Sequence, residues 1–122
     1  MRRTGNAWQS LWGVEMIDLN QLQKRLFQNK IAKGFNVTDV CKEFCYLYGE
    51  VAEACEAYMK KKSDLGEELA DIALYLLSIA EIMGIDMEQE LLAKMEKNER
   101  RQYIQKDGVN IRITEGDQTV EQ

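Results

Sequence analysis

Residues 46–77, "YLYGEVAEACEAYMKKKSDLGEELADIALYLL", place Glu50, Glu53, Glu68 and Asp71 in two segments whose other residues read as helix core. Each pair is spaced i, i+3, one helical turn along and roughly 60° around the axis. A hairpin folded about Lys60–Asp64 brings the two pairs face to face near its closed end. Unpaired carboxylates in an apolar setting repel one another and raise each other's pKa. A positive charge is expected between them.

Periodicity extends the pattern in both directions. A first helix is expected from an Asp18 N-cap to Lys33, stopped by Gly34, with Leu19, Leu22, Leu26 and Asn29 on its inward stripe. The second starts after Thr38 or Asp39, shows Phe44, Leu47, Val51, Ala54 and Tyr58 as its apolar face, and ends in three lysines that suit a helix C-terminus. Ser63 and Asp64 cap the third, which runs to Gly84, and Asp86 caps a fourth that continues to about Gln105. Short connections predict an all-α antiparallel four-helix bundle. Beyond it, "KDGVNIRITEG" offers a turn at Asp107-Gly108 and an alternation suited to a short strand, and the last residues, "DQTVEQ", look frayed.

The third helix is apolar around nearly its whole circumference, through Ile72, Ala73, Leu74, Leu76, Leu77, Ile79 and Met83. Such a helix needs cover on every side, which predicts a homodimer or homotetramer. Asp71 and Glu81 inside the apolar run 69–85 argue against a membrane span. Asp71 is expected to be buried, because its helix lacks a polar face, whereas Glu56, Glu67 and Glu81 read as surface carboxylates.

Composition narrows the chemistry. The 122 residues carry a net charge of −5, which disfavours nucleic acid and anionic membranes as partners. There is no proline, and no histidine to serve as a general base, a nucleophile's partner or an iron ligand. Cys41, Cys45 and Cys55 are an odd number without an evident secretory signal, so free thiols in a cytoplasmic protein are expected. What remains is chemistry by carboxylates, amines and an oxygen-bound metal, for which Mg²⁺ or Mn²⁺ suits best. Mg²⁺ sites are commonly completed by substrate phosphates. Lys94, Asn98 and Arg101, at i, i+4 and i+7 on the fourth helix, supply cations and an amide for phosphate; the plain alternative is a solvated face balancing Glu90 and Glu96.

"GEVAEACEA", "EELADIALYLL" and "GIDMEQELLAKMEKNERRQY" together resemble the MazG-like all-α nucleoside triphosphate pyrophosphohydrolases, most closely their dCTP pyrophosphatase branch. The resemblance covers residues 18–106, leaving 1–17 as an N-terminal extension and 107–122 as a tail. It implies an oligomeric helical bundle that cleaves a nucleoside triphosphate, with Mg²⁺, to monophosphate and pyrophosphate, in a nucleotide-pool house-cleaning role. By position, Glu50, Glu53, Glu68 and Asp71 would be metal-binding and catalytic, and Lys94, Asn98 and Arg101 would contact phosphate. Tyr75, Asn29 and Phe35 would line the nucleotide site. Two rivals are a phosphoribosyl-ATP pyrophosphohydrolase, which shares the motif, and a non-catalytic helical interaction module.

Overall fold

The computed structural model describes residues 16–113 and 120–121. The expectations for the N-terminal extension through Glu15, and for a frayed tail at 114–119 and at Gln122, lie outside the described residues. Four helices occur in the expected order: α1 (Leu19–Ala32), α2 (Val40–Met59), α3 (Leu65–Ile82) and α4 (Met87–Arg100). Three strands follow: β1 (Gln102–Lys106), β2 (Val109–Ile113) and β3 (Val120–Glu121). No helix among the described residues is long and apolar enough to cross a membrane. The chain divides into two compact units, one up to Met87 and one from Glu88.

In the first unit the helix ends follow from local chemistry. Asp18 and Asp39 are N-caps whose carboxylates accept from the Gln21 and Lys42 amides, each at 3.1 Å. Asp64 occupies the N-cap position of α3 but makes no capping hydrogen bond. All three helices close in the same way, with the residue after the cap in the left-handed region and the next amide reaching back to the last turn. Gly34 and Gly84 fill that position after α1 and α3, but Lys61, at φ 55°, fills it after α2.

α3 is central, with both α1 and α2 packed on it. α1 therefore takes α3, and not its sequence neighbour α2, as its main partner. The pairs Glu43/Ser78 and Tyr46/Tyr75 run in opposite order along α2 and α3, so these two form the expected antiparallel hairpin. The stripe that α2 turns inward is rotated by one residue from the apolar face expected for it. Glu43, Ala54 and Ala57 are buried and Leu47 and Glu50 half-buried, while Phe44, Val51 and Tyr58 stay exposed. The core of α3 is Leu77, Ser78, Ile79 and Ala80, and Leu69, Leu76 and Met83 are exposed on this chain.

Gln23 of α1 is 4% exposed and donates to Glu81 at 3.0 Å and to the Ile85 carbonyl at 2.8 Å, tying α1 to the end of α3. Glu81 is thus a half-buried anchor, against the surface role expected of it. Glu56 fits that role, exposed and paired with Lys60 on its own helix, and Glu67 is exposed as well. Cys41, Cys45 and Cys55 are free and exposed along α2.

The second unit holds α4 and an antiparallel sheet of order β1-β2-β3. The turn falls at Asp107-Gly108, both at positive φ, and Lys106 pairs with Val109 across it. Here the expectation of a helix to Gln105 fails. α4 ends at Arg100, because "QYIQK" pairs residue for residue with β2 from Gln102↔Ile113 to Lys106↔Val109. Val120 and Glu121 add a third strand where fraying was expected.

Candidate active site

Carboxylate oxygens of Glu50, Glu53 and Glu68 lie within 4.8 Å of one another, two from α2 and one from α3. The i, i+3 spacing places Glu50 and Glu53 on adjoining turns, and the hairpin brings Glu68 across to them. Glu50 and Glu68 are half-buried, and one oxygen of each is buried without a hydrogen-bond partner among the described residues. Both side chains ionise less readily than an ordinary glutamate. Burial is the leading cause; repulsion from Glu53, Asp71 and Glu68 adds to it at Glu50, and from Glu53, Asp64 and Asp71 at Glu68.

Asp71 is exposed, against the expectation that its helix would bury it, and its oxygens are not among the three that converge. One turn from Glu68, it is still close enough to disfavour ionisation of both half-buried glutamates. It also lines a cavity of about 250 Å³ beside the cluster. Leu26, Phe35, Leu74 and Tyr75 form the less polar walls of that cavity, and Asn29, Lys30, Asp71 and Ser78 supply polar groups. The structure therefore brings together all three residues expected at the nucleotide site, Asn29, Phe35 and Tyr75, next to one of the four expected carboxylates. Asn29 is exposed and not part of the core stripe. The Tyr75 phenol is pushed up by burial and by the negative charge of Glu50 and Glu43.

Sequence reasoning missed a second charged cluster a few residues away. Lys30 of α1 forms an ion pair with Glu43 of α2 and donates to the Ser78 hydroxyl of α3 at 2.7 Å. Ser78 donates in turn to Glu43 at 3.0 Å, and the Asn36 amide donates to the other Glu43 oxygen at 3.0 Å. The Glu43 side chain is 1% exposed. Burial opposes its ionisation, but the hydrogen bonds from Lys30, Asn36 and Ser78 prevail, and its pKa falls below the usual glutamate value. No local spacing announces this set, since Lys30 and Ser78 lie 13 and 35 residues from Glu43 along the chain.

In the second unit Lys94, Asn98 and Arg101 do gather. The Arg101 guanidinium donates to the Asn98 side-chain oxygen at 3.0 Å, although Arg101 lies one residue beyond α4. The Lys94 ammonium gives up its proton more easily than an ordinary lysine, chiefly through repulsion by Arg101, with burial, Lys97 and Arg112 adding to it. Arg112, on β2, is a cation of this group that the sequence did not disclose, because it was read as part of a tail.

Oxygen donors alone, converging from two helices with buried lone pairs left over, fit a hard divalent cation such as Mg²⁺ or Mn²⁺.

Known proteins resemble the chain over much of this region. Residues 44–103 match the MazG nucleotide pyrophosphohydrolase domain, a span that holds the three converging glutamates, Asp71, Tyr75, Lys94, Asn98 and Arg101. A curated relative, the dATP/dGTP diphosphohydrolase of Salmonella phage PMBT28, is 36% identical over 75 residues, covering 52% of this chain. The chain spans only 26% of that relative's length. No solved structure matches. Through residues 44–103, the chain belongs to the MazG-like superfamily.

Proposed function

We propose that this chain is a divalent-metal-dependent nucleoside triphosphate pyrophosphohydrolase that releases monophosphate and pyrophosphate in clearing the nucleotide pool. The observation that carries the reading is the convergence of Glu50, Glu53 and Glu68 within 4.8 Å, with unpartnered buried oxygens, beside the cavity of Asp71 and Tyr75. Glu50, Glu53 and Glu68 hold the cation, and Asp71 completes the acidic set from the cavity side. Bound there, Mg²⁺ or Mn²⁺ supplies charge neutralisation for phosphate oxygens and acidifies water. The carboxylates orient the attacking water and take up its proton. Tyr75, Phe35 and Asn29 seat the nucleoside. Lys94, Asn98 and Arg101 bind phosphate.

The relative's name gives deoxyadenosine and deoxyguanosine triphosphates as its substrates, whereas the sequence motifs resemble the dCTP branch. The base is therefore the open variable of the reading. We also assign the chain a dimeric or tetrameric form, because Leu69, at 53% exposed, and Met83, at 57%, leave apolar surface on α3. Sedimentation at micromolar concentration tests this, and a folded monomer there would overturn it.

Pyrophosphate release from a panel of nucleoside triphosphates tests the activity. Turnover is expected with Mg²⁺ or Mn²⁺ and is expected to vanish with EDTA. Full turnover after rigorous chelation would refute the metal assignment, and no release from any nucleotide would refute the activity.

A further inference from the structure

Lys30 lines two cavities. The first is the cavity of about 250 Å³ that Asp71 also lines, and the second, of about 350 Å³, is lined by Asn36, Lys42 and Glu43 as well. Lys30, Phe35 and Tyr75 line both. The ammonium is nearly enclosed, its side chain 11% exposed, and it sits 5.6 Å from the centroid of the Tyr75 ring.

Three features define what this ammonium can do. It carries three protons, and among the described residues two acceptors are recorded for it, Glu43 and the Ser78 hydroxyl. Glu43 cancels its charge, so the pair offers little net attraction to a phosphate and instead a directed donor for a neutral acceptor. Glu43 and Ser78 also fix its position, since each is itself tied down, Glu43 by Asn36 and Ser78 by its bond to Glu43. A donor held in this way, at the edge of a cavity with the Phe35 and Tyr75 rings in its walls, suits the edge of a planar heterocycle.

We propose that Lys30 is a specificity-determining residue that donates to a carbonyl oxygen of the nucleobase, so that the site favours 6-keto purines and 4-keto pyrimidines over their 6-amino and 4-amino counterparts. This rests on the pyrophosphohydrolase reading and supplies the substrate class it lacks. A lysine has no acceptor to offer an exocyclic amine, so an amino base meets a donor with a donor. A site built around one hydrogen bond rejects the analogue that cannot make it, because its own buried group is then left unpaired.

The test uses matched pairs that differ at that edge: deoxyinosine with deoxyadenosine nucleotides, and deoxyuridine with deoxycytidine nucleotides. Equilibrium binding of the monophosphates and kcat/KM for the triphosphates are measured on the full chain. The wild type is expected to favour the keto member of at least one pair by roughly ten- to a hundredfold, the range of a hydrogen bond to a charged donor. Removing Lys30 alone would strand Glu43, so K30M is combined with E43Q, and Lys30→Arg serves as a second variant that keeps the ion pair while displacing the donor. Both are expected to lose most of the keto preference. A purely structural Lys30 would weaken both members of a pair equally, leaving the ratio unchanged, and that result overturns the proposal. So does a wild type that prefers the amino members, shows no preference, or binds none of the monophosphates. Should the wild type bind them with keto preference but release no pyrophosphate, the activity reading falls, and the loss of preference in the variants still decides the role of Lys30.

Discussion

Glu43 and Glu50 stand about two turns apart on the inward stripe of α2, yet their ionisation is pushed in opposite directions. Burial works against charge at both. At Glu43 the protein supplies Lys30, Ser78 and Asn36, and these outweigh the burial. At Glu50 the surroundings are more carboxylates, Glu53, Asp71 and Glu68, and they deepen it. A buried charge answered by the protein is satisfied within the fold, whereas one answered by more of the same sign is a demand addressed to something outside the chain. The contrast separates a carboxylate that the fold itself neutralises from one that it leaves to a cation.

Substitution at the two positions should sharpen the contrast most. Glu50→Gln removes a charge that the apo protein tolerates badly and the cation needs. Turnover is expected to fall by about 10² or more, in the range for loss of one oriented transition-state stabiliser, while the metal-free melting temperature holds or rises. Lys30→Met alone should do the opposite to the fold. It strands the nearly fully buried Glu43 and is expected to destabilise by roughly 3–5 kcal/mol in denaturant titration. If Glu50→Gln were to melt far lower yet keep its turnover, the two clusters would have been assigned the wrong way round.

The pH dependence of stability gives a second separation. The folded pKa of Glu43 lies below its unfolded value, so its contribution is complete above the unfolded pKa and is lost as pH falls through the folded one. Glu50 and Glu68 have raised folded pKa values, so in the absence of metal they cost stability progressively as pH rises through that range. Acid unfolding of the apo protein should therefore be shifted to higher pH and flattened by Glu43→Gln. Added Mg²⁺ should raise the melting temperature more above the folded pKa values of Glu50 and Glu68 than below them. A Mg²⁺ effect independent of pH would argue against binding at these glutamates. A smaller effect is expected at the turn. Lys61 adopts the left-handed conformation that glycine takes after α1 and α3, so Lys61→Gly should stabilise by about 0.5–1 kcal/mol in thermal melts.

The acidic pairs were legible because helical periodicity is local: i, i+3 on each of two helices, plus one short turn, suffices to predict that Glu50, Glu53 and Glu68 meet. The Asp18 cap, the start of α2 just after Thr38 or Asp39 and the Asp107-Gly108 turn were legible for the same reason. The Lys30 cluster was not, since it assembles from three helices and the loop at Asn36, and each residue alone passes for surface. The facing of α2 was misjudged by one residue because the helix has more apolar residues than one stripe needs, and hydropathy cannot say which stripe α3 will take. Strand β1 was hidden for a related reason. Its sequence continues a helical pattern, and only pairing with β2, seven or more residues on for most of its length, makes it a strand.

Ala54 and Ala57, 6% and 2% exposed, occupy α2 at the end of the hairpin where the acidic cluster forms. Interhelical distance depends on the side chains at the contact, so methyl groups there let α2 and α3 approach closely. The span between Glu53 and Glu68 is thus gauged by two residues that have no chemistry of their own. A redesign that kept every carboxylate but enlarged those alanines would preserve the motif and lose its dimensions. For this architecture, inheritance of the site means inheritance of a clearance as much as of a set of ligands.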